Sequence, residues 1–96
     1  MRNGRIDANQ KEIVSALRKV GASVAVTSNV AGGFPDIVAG FQGRNYLIEI
    51  KDGSKPPSGR KLTPDEIEFH QKWFGQISVV NSVDEAISLI LNTNKK

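Results

Sequence analysis

Ninety-six residues, 39% of them hydrophobic and 24% charged, describe one soluble globular domain rather than two domains or a disordered chain, and a core this thin leaves apolar surface that a second copy could cover. There is no run of about 18 apolar residues for a membrane span, and Met1-Arg2-Asn3-Gly4-Arg5 lacks the apolar stretch of a secretory signal, so the cytoplasm is the expected compartment. Zero cysteines exclude disulfides, zinc–thiolate sites and thiol catalysis together, and a net charge of +3 is compatible with a polyanionic partner without requiring one.

In chain order, Asp7 followed three residues later by Gln10 reads as the start of a helix, with Ile13, Val14, Leu17 and Val20 on one face and Gly21 as its end. Ser23 to Thr27 alternates as a strand, and Asn29 to Pro35, with two glycines and a proline, is a loop. Asp36 to Phe41 and Arg44 to Lys51 are two strands joined by Gln42-Gly43. Gly53 to Arg60 has the composition of a flexible basic loop. Thr63-Pro64-Asp65-Glu66 opens the second helix with a capping box, and Ile67, Phe69, His70, Trp73 and Phe74 supply its large side chains. Ile77 to Val80 is a short strand. Ser82-Val83-Asp84-Glu85 is a second capping box, ahead of a final helix carrying Ala86, Ile87, Ile90 and Leu91. Asn92 to Lys96 reads as a frayed polar tail. The order α-β-β-β-α-β-α predicts three antiparallel strands and a fourth parallel to the third, in a mixed four-stranded sheet with helices on both faces.

Alternation along Tyr46-Leu47-Ile48-Glu49-Ile50-Lys51 places Tyr46, Ile48 and Ile50 on one face and Leu47, Glu49 and Lys51 on the other. A hairpin about Gln42-Gly43 then sets Asp36, at the start of one strand, beside Glu49 and Lys51 at the end of the next. Two carboxylates and a lysine suit metal-assisted phosphodiester hydrolysis. Carboxylate oxygens hold Mg²⁺, and an ammonium nearby orients a water or stabilises phosphate charge. The same residues also admit a plainer reading: Glu-x-Lys is a common pair, and a same-face ion pair on a strand contributes little, while Asp36 after Pro35 would suit an ordinary turn.

Phe34-Pro35-Asp36 followed after a hairpin by Glu49-Ile50-Lys51 resembles the PD-(D/E)XK restriction-endonuclease-like core, and the predicted element order matches that α/β fold. More narrowly, Gly33-Phe34-Pro35-Asp36-Ile37-Val38, Tyr46-Leu47-Ile48-Glu49-Ile50-Lys51-Asp52-Gly53 and Leu62-Thr63-Pro64-Asp65-Glu66 resemble the VRR-NUC branch, in particular its minimal stand-alone members from phages and bacteria, over roughly residues 7 to 91. The resemblance implies a Mg²⁺-dependent DNA endonuclease in which Mn²⁺ substitutes. Asp36 and Glu49 would hold the metal with the backbone carbonyl of Ile50, and Lys51 would be the catalytic lysine. It also implies a residue from the first helix. Gln10 matches that position, although it equally fits a capping partner of Asp7; Glu12 is the acidic alternative, and the two lie about 160° apart around the helix, so both do not face one metal. Stand-alone members resemble Holliday junction resolvases in acting as homodimers on branched DNA, with no small-molecule cofactor.

Around the trio, Lys55, Arg60 and Lys61 are candidates for gripping phosphates, against the alternative of a solvated loop. Asn29, Gly32 and Gly33 are candidates for a close approach of the DNA backbone, against a plain turn. His70, Trp73 and Phe74 read as core or dimer-face residues rather than as a general base or base-stacking platform. A non-catalytic DNA-binding module that keeps the fold is the competing function. The intact Asp36, Glu49 and Lys51 argue against it, since a binding module gains nothing from carboxylates where phosphates must sit.

Overall fold

Strand alternation and helix periodicity converge on a single apolar layer. The computed structural model describes residues 7–92, as α1 (Gln10–Lys19), β1 (Ser23–Val26), β2 (Ile37–Phe41), β3 (Arg44–Ile50), a 3-10 turn (Pro57–Arg60), α2 (Pro64–Lys72), β4 (Ser78–Val80) and α3 (Val83–Asn92). The sheet runs β1-β2-β3-β4, antiparallel across the first two pairs and parallel between β3 and β4, as the element order predicts. Ile37 and Ala39 of β2, Tyr46, Ile48 and Ile50 of β3 and Val80 of β4 face one way. Ile13, Val14 and Leu17 of α1 and Ala86 and Ile90 of α3 cover them. The β2–β3 turn takes positive φ at both central residues, 50° at Gln42 and 81° at Gly43, the geometry that matches the twist of a two-residue hairpin and thereby sets its register.

The two faces of the sheet are served unequally. α1 and α3 pack on the first. α2 reaches the second only near the end of β3, through its first turn, and buries none of its own residues. Val79 is left 40% exposed and Val38 and Leu47 half-buried.

Several local expectations are corrected. α1 begins at Gln10 with Asn9 at the N-cap and no side-chain cap. The Asn9 amide is instead spent on the Lys51 and Asn81 carbonyls, at 3.1 and 3.2 Å, tying the helix to the ends of β3 and β4. Val20 is the C-cap and largely exposed. α2 stops at Lys72, so Trp73 leaves the helix with extended backbone and Phe74 is fully exposed; neither is a core anchor, because the chain must turn back toward β4 at once. The segment read as a flexible loop contains the Pro57–Arg60 turn, held by the Arg60 side chain on the Lys55 carbonyl at 2.8 Å. The Thr63–Glu66 capping box forms in full. The second forms by half, with Glu85 N–H on Ser82 Oγ while the Glu85 carboxylate takes the Asn81 N–H at 2.7 Å. Residues 93–96, read as a frayed tail, lie outside the described residues.

The division of the sheet into a covered and a bare face has a measurable consequence. Ile48→Ala should destabilise the protein by about 2–5 kcal/mol, the usual cost of emptying a fully buried site, and Val79→Ala by under about 1 kcal/mol. Urea midpoints of the two variants check this; equal losses would contradict the one-faced core.

Candidate active site

Asp36 enters the site on a backbone held from both sides. The Thr27 hydroxyl donates to the Pro35 carbonyl and the Thr27 N–H to the Asp36 carbonyl, each at 2.8 Å. Because Ile37 is registered opposite Ile48, Asp36 lies beside the last residues of β3, and its Oδ2 accepts the Ile50 N–H at 2.8 Å. Glu49 points to the face opposite Ile48 and Ile50, its side chain 2% exposed. Lys51 follows on the same face, with Nζ 3.8 Å from Glu49 Oε2 and 2.9 Å from Glu66 Oε1. Hairpin register and strand alternation thus bring Asp36, Glu49 and Lys51 together as read from the sequence.

The electrostatics follow from crowding without solvent. Burial pushes the Asp36 carboxyl up, partly offset by the Ile50 N–H. Burial, then the neighbouring Asp36 charge and contact with Glu66, push Glu49 up to about 10. Burial would pull Lys51 down, but its hydrogen bond to Glu66 and the charges of Glu66 and Glu49 outweigh it and hold the ammonium above its ordinary range. Glu66 is held low: burial opposes this, and the Thr63 N–H, Glu49 and Lys51 prevail. Burial and mutual repulsion thus disfavour two ionised carboxylates side by side, and Glu49 carries the larger upward push.

The residues fit the divalent cation that the resemblance implies. Glu49 Oε1 is buried and has no hydrogen-bond partner, an orphaned acceptor next to a second carboxylate. Among the described residues no three His, Cys, Asp or Glu side chains form a closed metal cage, and Glu66 Oε1 accepts from Lys51 and from the Thr63 N–H. Two carboxylates that leave further positions to backbone and water suit Mg²⁺, which retains several waters.

The trio opens into a cleft of about 820 Å³. Ile50, Asn29, Gly32, Gly33, Lys55 and Lys61 also line it. Arg60 and Glu12 do not: both face a separate groove by Asp52 and Glu85. Gln10 is buried beneath the cleft and reaches it only through Ser28, donating to Oγ at 3.1 Å; that contact replaces the capping role toward Asp7. Gly33 has a use the sequence did not announce. At φ +79° it lets the loop close on the first turn of α2, where a Cβ would strike the Asp65 carbonyl. Gly32, at φ +80°, has open space around it and stays available to an approaching ligand. His70 lies outside the cleft, its Nε2 buried without a partner, and burial pushes its pKa down.

Two contributors escaped the sequence reading. Glu66 was visible only as a helix cap, and its spacing to Lys51 depends on where α2 lands. Ser28, which bridges Gln10 to the cleft, lies in a loop without a pattern.

The α-β-β-β-α-β-α order, with Asp36, Glu49 and Lys51 at the open end of one hairpin, defines the fold as PD-(D/E)XK-like. Within that class the chain is similar to a solved structure titled "VRR_NUC domain", with a TM-score of 0.62 and 23% identity, over 85% of this chain and 89% of the other. The two share a fold, in keeping with the resemblance read from the sequence. No protein-family model matches the chain, and no curated protein matches it.

The raised Glu49 pKa makes stability depend on pH with a defined sign. A carboxyl whose folded pKa lies above its unfolded value contributes stability fully below about pH 4.5, and that contribution is lost as pH rises toward 10. In chelator, the urea midpoint of the parent should fall from pH 5 to pH 9 more steeply than that of Glu49→Gln, whose amide does not titrate. Parallel slopes would show that Glu49 is not the strained group.

Proposed function

We propose that this protein is a metal-dependent DNA endonuclease that hydrolyses phosphodiester bonds, selective for branched DNA such as Holliday junctions and active as a homodimer. The observation that carries the reading is the orphaned, buried Glu49 oxygen beside Asp36, facing a cleft next to an ammonium held charged. Asp36 and Glu49, with the Ile50 carbonyl, would hold Mg²⁺, and Mn²⁺ would substitute. When bound, the cation lowers the pKa of a water and neutralises charge on the phosphate.

The chain's own residues divide the remaining work. Lys51, kept protonated by Glu66, donates hydrogen bonds to a phosphate oxygen or to the attacking water, stabilising the charge that grows in the transition state; in this form it is not a base. Lys55 and Lys61 on the cleft rim engage neighbouring phosphates. Arg60 contributes by shaping that rim through the Lys55 carbonyl. Gln10 supports the floor through Ser28. Selectivity for branched DNA and the homodimer are supported by the resemblance to stand-alone VRR-NUC proteins. Exposed Ile67, Trp73, Phe74 and Val79 offer apolar surface for a second copy.

The test is incubation of the purified protein with four-way junction, flap, duplex and single-stranded DNA, with Mg²⁺, Mn²⁺ or chelator. The junction should be cut with either metal and not in chelator. Lys51→Ala should lower the rate by roughly 10²-fold or more while DNA binding persists. A Lys51→Ala protein that cuts as fast as the parent would sink the mechanism.

A further inference from the structure

Resting on the nuclease reading, we infer that Glu66 is the positioning residue of this site: it fixes the Lys51 ammonium beside the carboxylate pair and keeps it from closing over them. A lysine side chain has four rotatable bonds and no intrinsic preference for one place. Within β3 its only acidic neighbour is Glu49, whose Oε2 lies 3.8 Å away, too far for a hydrogen bond. Glu66 Oε1 lies at 2.9 Å and makes that bond. The same oxygen accepts the Thr63 N–H at 2.9 Å, so the group that holds Lys51 is itself pinned to the first turn of α2. That turn is seated by Gly33 packing against the Asp65–Glu66 backbone and by the Phe34 and Phe69 rings, edge to face at 5.4 Å.

Helix capping alone does not account for the arrangement. A capping box needs the Glu66 carboxylate to reach Thr63, which it could do in solvent; here its side chain is 17% exposed and turned to an ammonium fifteen residues away. The geometry has a second effect. Drawn toward Glu66, Lys51 leaves Glu49 Oε1 without a partner. Without Glu66 the ammonium would fold onto Glu49, occupying the carboxylate and losing its place beside the cleft.

The experiment compares Glu66→Ala, Glu66→Gln and Thr63→Ala with the parent by two readouts. The first is steady-state cleavage of junction DNA in Mg²⁺. The second is trace acetylation of Lys51 in the uncomplexed protein, read by mass spectrometry against Lys55 and Lys61. Glu66→Ala should lower kcat at least about tenfold with KM for DNA unchanged, and lower Lys51 labelling several-fold, because an ammonium folded onto the buried Glu49 carboxylate is shielded from the reagent. Glu66→Gln should restore both to within about threefold of the parent, because its carbonyl oxygen accepts the same two donors. Thr63→Ala removes the hydroxyl of the capping box, spares the Lys51 contact and should leave both readouts near the parent. Glu66→Met, a good helix former, replaces the alanine variant should that one fail to fold. Unchanged labelling in Glu66→Ala overturns the inference, as does a Glu66→Gln protein as impaired as the alanine variant, or a Thr63→Ala protein equally impaired. A parent inactive on every DNA, with the labelling pattern intact, would remove the nuclease reading and leave the Lys51 clamp standing.

Discussion

Two carboxylates are pressed together at the open end of a hairpin, Glu49 almost wholly buried, and the surrounding structure answers that repulsion. Glu49 is as buried as the isoleucines that flank it, yet its side chain points away from the apolar layer they form. Such a group is tolerated only when protonated, paired or bound to a cation. The chain supplies a partial remedy on each side: the Ile50 N–H for Asp36, the Lys51 ammonium near Glu49, and Glu66 to hold that ammonium. None satisfies Glu49 Oε1. A purely structural ion pair would have closed this account, so the residual strain is the physical sign of a site built for something further.

The energy that holds the strain comes from elsewhere in the fold. Ile48 and Ile50, in the same strand as Glu49, are buried in the core beneath α1 and α3, and β3 pairs with β2 on one side and β4 on the other. Asn9 adds a polar tie, donating to the carbonyls that follow β3 and β4. The site therefore sits on the end of a central strand paired on both sides. α2 is the opposite case: it buries no residue of its own, and its first turn is held by the site and by the glycine loop. An element so lightly packed is drawn from the low-stability end of the structure. The placement of Lys51 is in this way coupled to whatever touches the cleft wall.

The order of elements, the sheet topology and the meeting of Asp36, Glu49 and Lys51 were legible in the sequence because they depend on local rules: period-two alternation, a two-residue turn and helix caps. What was illegible depended on tertiary choices among equivalent local options. Gln10 had a plausible capping role toward Asp7 and instead bonds Ser28, and Asn9, which carried no sequence signal, ties the helix start to the Lys51 and Asn81 carbonyls. Glu66 did keep its capping role and acquired a second one that no spacing rule connects to Lys51. Trp73 and Phe74 were read as core or dimer-face residues, and hydrophobicity alone did not separate the two. Their exposure reflects a helix that ends early because the chain must return to the β3 edge. Gly33, read as a point of close DNA approach or a plain turn, lines the cleft and also makes a backbone contact inside the protein that no local signal announced.

These misreadings share a direction that bears on the site itself. Apart from Trp73 and Phe74, they concern residues that local rules leave to a cap or a turn and that the fold uses near the strand ends around Lys51. Gln10, Asn9, Gly33 and Glu66 come from three separate segments, and all four converge on the shell immediately outside Asp36, Glu49 and Lys51. Chance packing would scatter such redirected polar groups over the surface. Their convergence means that local preferences were overridden where the fold must hold a crowded set of charges in one arrangement, as preorganised sites require. The trio supplies the chemical groups, and the redirected shell is what makes their positions definite.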